Sequence, residues 1–141
     1  MRNSRASLFL MELMISILFF SLSSAVCIQL FVKAYTINEA TENKSNATMI
    51  AQDISEYFHH ASGDKEQFLK YYGEYEDAGD IIILYFSQNG INCHADNAYY
   101  IATLCFSQEA SFRVLTLELT RRDDNVPLYS STLKKYIQST L

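Results

Sequence analysis

Apolar and polar residues follow three successive patterns along this chain. Residues 13–32, LMISILFFSLSSAVCIQLFV, run for twenty positions without a formal charge. As a helix rising about 1.5 Å per residue they reach about 30 Å, the thickness of a bilayer's hydrocarbon core. A helix satisfies its own backbone in lipid, and neither Pro nor Gly interrupts this one. From residue 33 the apolar positions thin to a stripe: Ile37, Ala40, Ala47, Ala51, Ile54, Phe58 and Ala61 recur at threes, fours and one seven. Ser62-Gly63 is the first stop signal, so one helix is expected over about 8–61, roughly 80 Å long. Residues 64–80 read as an acidic, Tyr-rich connection. Beyond it the period shortens to two. Residues 81–87 are a buried-type run, and 98–106 place Tyr100, Ala102, Leu104 and Phe106 on one face. Two further strands, 112–121 and 128–137, flank the turn residues DDNVP. The expected fold class is α+β: a long N-terminal helix, membrane-spanning in its first half, packed against a small four-stranded antiparallel sheet.

Composition and charge narrow the function. A chain that is 49% apolar and 19% charged is no disordered polyelectrolyte, and 141 residues hold one small domain plus an appendage. The net charge of -5 disfavours direct contact with nucleic acid. Arg2 and Arg5 precede the apolar run and place that end in the cytoplasm. Residues 33–141 carry nine basic and fifteen acidic side chains and are expected outside. Two other readings of the N-terminus exist. One is a secretory signal cut after Ala25, against which the apolar run continues for seven residues. The other is a plain single-pass anchor for an extracellular binding or sensing module.

Glu12 stands one turn into an otherwise apolar stretch, LFLMELMISILFF. A carboxylate there costs free energy in lipid and calls for a partner. Before it lie a short basic leader, MRNSRAS, and the small residue Ser7; counted from Leu8, Glu12 is fifth. With these residues the chain resembles type IV pilins and the pseudopilins of type II secretion and competence systems. The family favours Gly where this chain has Ser7, and Phe where it has Leu8. The resemblance implies a lollipop fold and three segments: a leader (1–7), a membrane and filament-core helix (8–32) and an exported head (33–141). It also implies cleavage between Ser7 and Leu8 by a prepilin peptidase, methylation of the Leu8 amine, and assembly with sister pilins by an ATPase and its platform protein. The motif has its own physical logic. Cleavage creates an ammonium, and in a staggered bundle one copy's ammonium can sit beside the next copy's Glu12, each satisfying the other in a low-dielectric core. Ser16, Ser21, Ser23, Ser24 and Ala25 are small enough for close helix approach.

The search for other chemistry is nearly empty. His59 and His60 are adjacent, so they diverge by about 100° on a helix and do not share a metal. Cys93, His94, Asp96 and Asn97 match no ligand spacing. The acids Asp64, Glu66, Glu74, Glu76, Asp77 and Asp80 read as a solvated face, with no calcium loop among them. Cys93 and Cys105 both fall in the exported part and are the candidates for a disulfide. No catalytic triad, Walker loop or dinucleotide turn is present, so the expectation is a non-enzymatic protein without cofactor, metal or small-molecule substrate, in contact with membrane lipid.

Overall fold

The computed structural model describes residues 2–138. Helix α1, Arg2–His60, is one uninterrupted helix of 59 residues, as the absence of Gly and Pro before residue 63 allows. Its end is a Schellman closure. The Ser62 N–H donates to the His59 carbonyl at 3.1 Å and the Gly63 N–H to the Phe58 carbonyl at 2.9 Å. Ser62 and Gly63 both take left-handed backbone, φ 54° and 72°. The stop expected at this dipeptide is therefore present.

The chain divides into two units, Met1–Thr41 and Glu42–Leu141. The first is helix alone; from Asn3 to Thr41 every residue except Ser24 is exposed. The second unit buries a core. The last part of α1 supplies Ala47, Ile50, Ala51, Ile54, Phe58 and Ala61. Helix α2, Lys65–Leu69, is capped by the Asp64 carboxylate on the Gln67 N–H at 3.0 Å and adds the fully buried Phe68.

Opposite these helices lies a five-stranded antiparallel sheet in the order β1-β2-β3-β4-β5. The strands are β1 (Tyr75–Asp77), β2 (Ile81–Phe86), β3 (Tyr100–Glu109), β4 (Phe112–Arg121) and β5 (Pro127–Tyr136). Alternation decides their faces. Ile82, Leu84 and Phe86 of β2, Tyr100, Ala102 and Leu104 of β3, and Leu115, Leu117 and Leu119 of β4 turn toward the helices. The fold class is the expected α+β, with two corrections. The sheet has five strands, because residues 75–77 of the connection pair with β2. Ile37 and Ala40 continue the helical period but are exposed, and the buried stripe begins at Asn43.

Asn43 ties the helix to the start of β3. Its Oδ1 accepts from the Tyr100 hydroxyl at 3.1 Å and the Tyr99 hydroxyl at 3.4 Å. The Asn46 amide reaches the Gln88 carbonyl at 3.3 Å and the Tyr100 oxygen at 3.4 Å. Tyr100 is fully buried, so removing its acceptor leaves a desolvated hydroxyl. Asn43→Ala is expected to cost about 1–3 kcal/mol. Urea unfolding of the detergent-solubilised chain measures this, and an unchanged midpoint would show that water replaces the amide.

Candidate functional site

The feature that stands apart from a packed domain is the first unit. An ordinary soluble helix hides an apolar stripe, whereas here the apolar side chains are exposed all round: Phe9, Met14, Phe19, Phe20 and Phe31 among them, Phe31 at 78%. α1 contains a stretch long and apolar enough to cross a membrane, and none of that stretch is buried. Its polar side chains are largely cared for inside the helix. The Ser16, Ser21 and Ser24 hydroxyls donate to the carbonyls of Glu12, Ile17 and Phe20, each at 2.9 Å. A hydroxyl bonded one turn back adds no unsatisfied donor to an apolar environment. Ser21 and Ala25, one turn apart, also floor a shallow apolar groove between Met14, Ile17, Leu18 and Leu22.

Ser7, Leu8 and Glu12 all lie in this unit, in regular helix and exposed. Leu8 and Glu12 are four residues apart, one turn, so they lie along the same side of the helix.

The head holds no comparable constellation. Among the described residues no three His, Cys, Asp or Glu side chains converge as a metal site. His59 and His60 are exposed, and the His60 Nε2 lies 3.8 Å from Glu56 one turn back. His94 and Asp96 pair at 3.3 Å in a 3-10 turn, Ala95–Asn97, which Arg122 braces through the Ala95 carbonyl at 2.6 Å. The acids of the connection serve local structure. Asp64 caps α2 and stands 3.9 Å from Arg113. Asp77 takes Lys65 at 3.0 Å and the Gly79 N–H at 3.0 Å. The Lys65 hydrogen bond, followed by that of the Gly79 amide, holds the Asp77 carboxyl below its ordinary range.

Cys93 and Cys105 are not bridged; both thiols are free. The Cys93 N–H donates to the Tyr85 carbonyl at 2.9 Å, and Tyr85 is level with Ile101. Cys105 stands four residues further along β3, opposite Ile81. That is about 13 Å of strand, well past what a disulfide spans.

Aromatic packing at the helix end, which the tyrosine-rich sequence only hinted at, holds the head together. Tyr57 stacks on Tyr71 at 4.5 Å between centroids, and Phe68 meets Tyr72 at 5.3 Å and Phe106 at 5.5 Å. The Tyr72 hydroxyl is buried and finds no partner among the described residues, and burial, followed by Tyr57 and Asp53 nearby, pushes its pKa up. Comparisons of the chain with protein-family models, with curated proteins and with solved structures found no match.

Proposed function

We propose that this protein is a structural subunit, a minor pilin or pseudopilin, of a type IV pilus, type II secretion or competence filament. The observation that supports this most is the first unit: an unburied helix whose apolar stretch, residues 8–32, carries one carboxylate, Glu12, and which continues into an α+β head. On this reading the chain waits as a single-pass protein of the inner membrane, N-terminus in the cytoplasm and head outside. Arg2 and Arg5 set that orientation. A prepilin peptidase cuts between Ser7 and Leu8 and methylates the Leu8 amine. An assembly ATPase and its platform protein then move the helix out of lipid into a bundle of sister helices, forming a periplasmic or surface filament. The peptidase and ATPase act on this chain, which itself performs no catalysis.

Three physical features fit that sequence of events. The apolar side chains exposed on every side suit lipid first and neighbouring helices later, with little change in what they touch chemically. The serine hydroxyls bonded back to their own helix do not resist either environment. Glu12 has its counter-charge only once the amine exists, which makes cleavage the step that licenses assembly.

Removing the peptidase from the producing cell tests the reading. The chain should then accumulate in the membrane at full length and disappear from the filament fraction released by shearing. An unchanged sheared fraction would contradict it.

A further inference from the structure

Among the described residues both outer edges of the sheet are unpaired, β1 on one side and β5 on the other. Every neighbouring pair is antiparallel, so β1, β3 and β5 run in the same direction. The two edges differ in charge. β5 carries Lys134 and Lys135 and no acid, whereas β1 carries Glu76 and Asp77 and no base. Lysines on an edge normally discourage strand pairing, so a neighbour with acids in the right places would be selected over others.

The register gives the heights of these charges. Glu76 is level with Thr103 through Ile83, and Lys134 is level with Ser107 through Val114. Lys134 therefore stands four residues, about 13 Å, further along the common strand direction. The same offset relates Lys135 to Asp77, level with Gln108 and Leu104, and Leu133 to Tyr75, level with Phe106 and Ala102. Because the offset is even, facing sides agree as well. Glu76 and Lys134 point away from the helices, while Tyr75, Asp77, Leu133 and Lys135 share the helix side. One displacement thus aligns two opposite-charge pairs and one apolar pair.

We propose that a second copy of this chain docks its β1 edge, in parallel, against β5, setting its Tyr75, Glu76 and Asp77 beside Leu133, Lys134 and Lys135. The proposal rests on the filament reading and gives it a head-to-head contact. Such a contact is heterologous: each addition leaves a free β1 at one end and a free β5 at the other, so it propagates. The offset of about 13 Å gives every added copy an axial rise, which produces a helical stack and not a flat ring. Parallel docking also keeps residues 43–60 of successive helices pointing the same way, as copies drawn from one membrane require. Lys134 now holds Glu109 at 2.9 Å and Asp77 holds Lys65 at 3.0 Å, but all four side chains reach solvent. Sharing such surface pairs costs at most about 1 kcal/mol each.

The test uses the full chain in membranes, with Cys27, Cys93 and Cys105 replaced by Ser and mild oxidation applied. Lys134→Cys with Glu76→Cys should give a ladder of dimers, trimers and larger species, absent from either single-cysteine chain. The two positions lie on opposite edges of one sheet, about 19 Å across it and about 13 Å along it, so any disulfide joins different copies. Ser130 is level with Glu76 without displacement, and Ser130→Cys with Glu76→Cys should not ladder. A charge exchange checks the same pair without cysteines: Lys134→Glu should reduce assembly, and adding Glu76→Lys should restore it. A ladder from the Ser130 pair in place of the Lys134 pair overturns the proposal. So does the absence of any ladder in protein that still forms shearable filaments, an outcome that leaves the filament reading intact. A Lys134 ladder in a chain that retains Met1 supports the edge contact and removes the filament reading instead.

Discussion

Glu12→Ala is expected to abolish incorporation into filaments while leaving membrane insertion unchanged or eased. On the filament reading proposed above, the substitution would strand a neighbour's ammonium in apolar surroundings. Breaking one side of a buried ion pair costs about 3–5 kcal/mol, which is more than about a hundredfold in an assembly equilibrium. In the membrane the same substitution only removes a costly carboxylate from an apolar helix. Ser16 does not compensate, because its hydroxyl is engaged with the Glu12 backbone carbonyl and not with the side chain. Glu12→Gln should behave like Glu12→Ala, since an amide keeps the shape and loses the charge. Fractionation into membrane and sheared filament measures both quantities. Normal incorporation of Glu12→Gln would show that hydrogen bonding, and not charge, makes the contact.

The largest expected effect on the head itself is at Gly63. Its φ of 72° lies where side chains are strained, and a Cβ there would sit 2.8 Å from the Arg113 Cβ and 3.3 Å from the Phe58 Cζ. The left-handed backbone costs a residue other than Gly about 1–2 kcal/mol. Forcing β4 away from the helix end adds about 1–3 kcal/mol. Arg113 is also fixed there by its hydrogen bond to the Ser62 carbonyl at 3.0 Å, so the strand has little room to yield. Gly63→Val should therefore lower the melting temperature by about 10–25 °C, taking the sum of these terms for a domain of this size. Gly73→Ala is the matched control, since nothing lies within 4 Å of its added Cβ. Thermal unfolding followed by circular dichroism reads both. A Gly63→Val chain that melts with the parent would mean that the helix end is not clamped against β4.

Much of this was legible in the chain, for identifiable reasons. α1 could be traced because nothing between its first turn and Ser62-Gly63 breaks a helix, β2, β3 and β4 because each has a buried face, and the half-buried β5 because the turn residues DDNVP lead into it. β1 was not, because Tyr75, Glu76 and Asp77 are all exposed and are held by backbone pairing and the polar contacts of Asp77, which leaves no hydrophobic pattern. α2 was hidden by its five-residue length, although Asp64 before Lys65–Leu69 is a capping signal that could have exposed it. Ile37 and Ala40 carried the right period beyond the point where the helix meets the sheet; periodicity marks a face without saying how far its partner extends. Asn43 was missed because a polar residue in the stripe reads as solvent-facing until two tyrosine hydroxyls are seen to converge on it. The Cys93–Cys105 bridge failed on register, which spacing along the chain does not encode. At the N-terminus, Glu12 stands out from polarity alone, since a lone carboxylate in an apolar run is conspicuous in any conformation, whereas Ser7 and Leu8 rest on the family resemblance.

Mass measurement of the N-terminal peptide from protein isolated from the membrane and from filaments tests the central claim most directly. The expected result is a chain beginning at Leu8 with one methyl group on its amine, in filaments above all. A chain that still begins at Met1 in every fraction would contradict it, because the ammonium meant to neutralise Glu12 would never have been made.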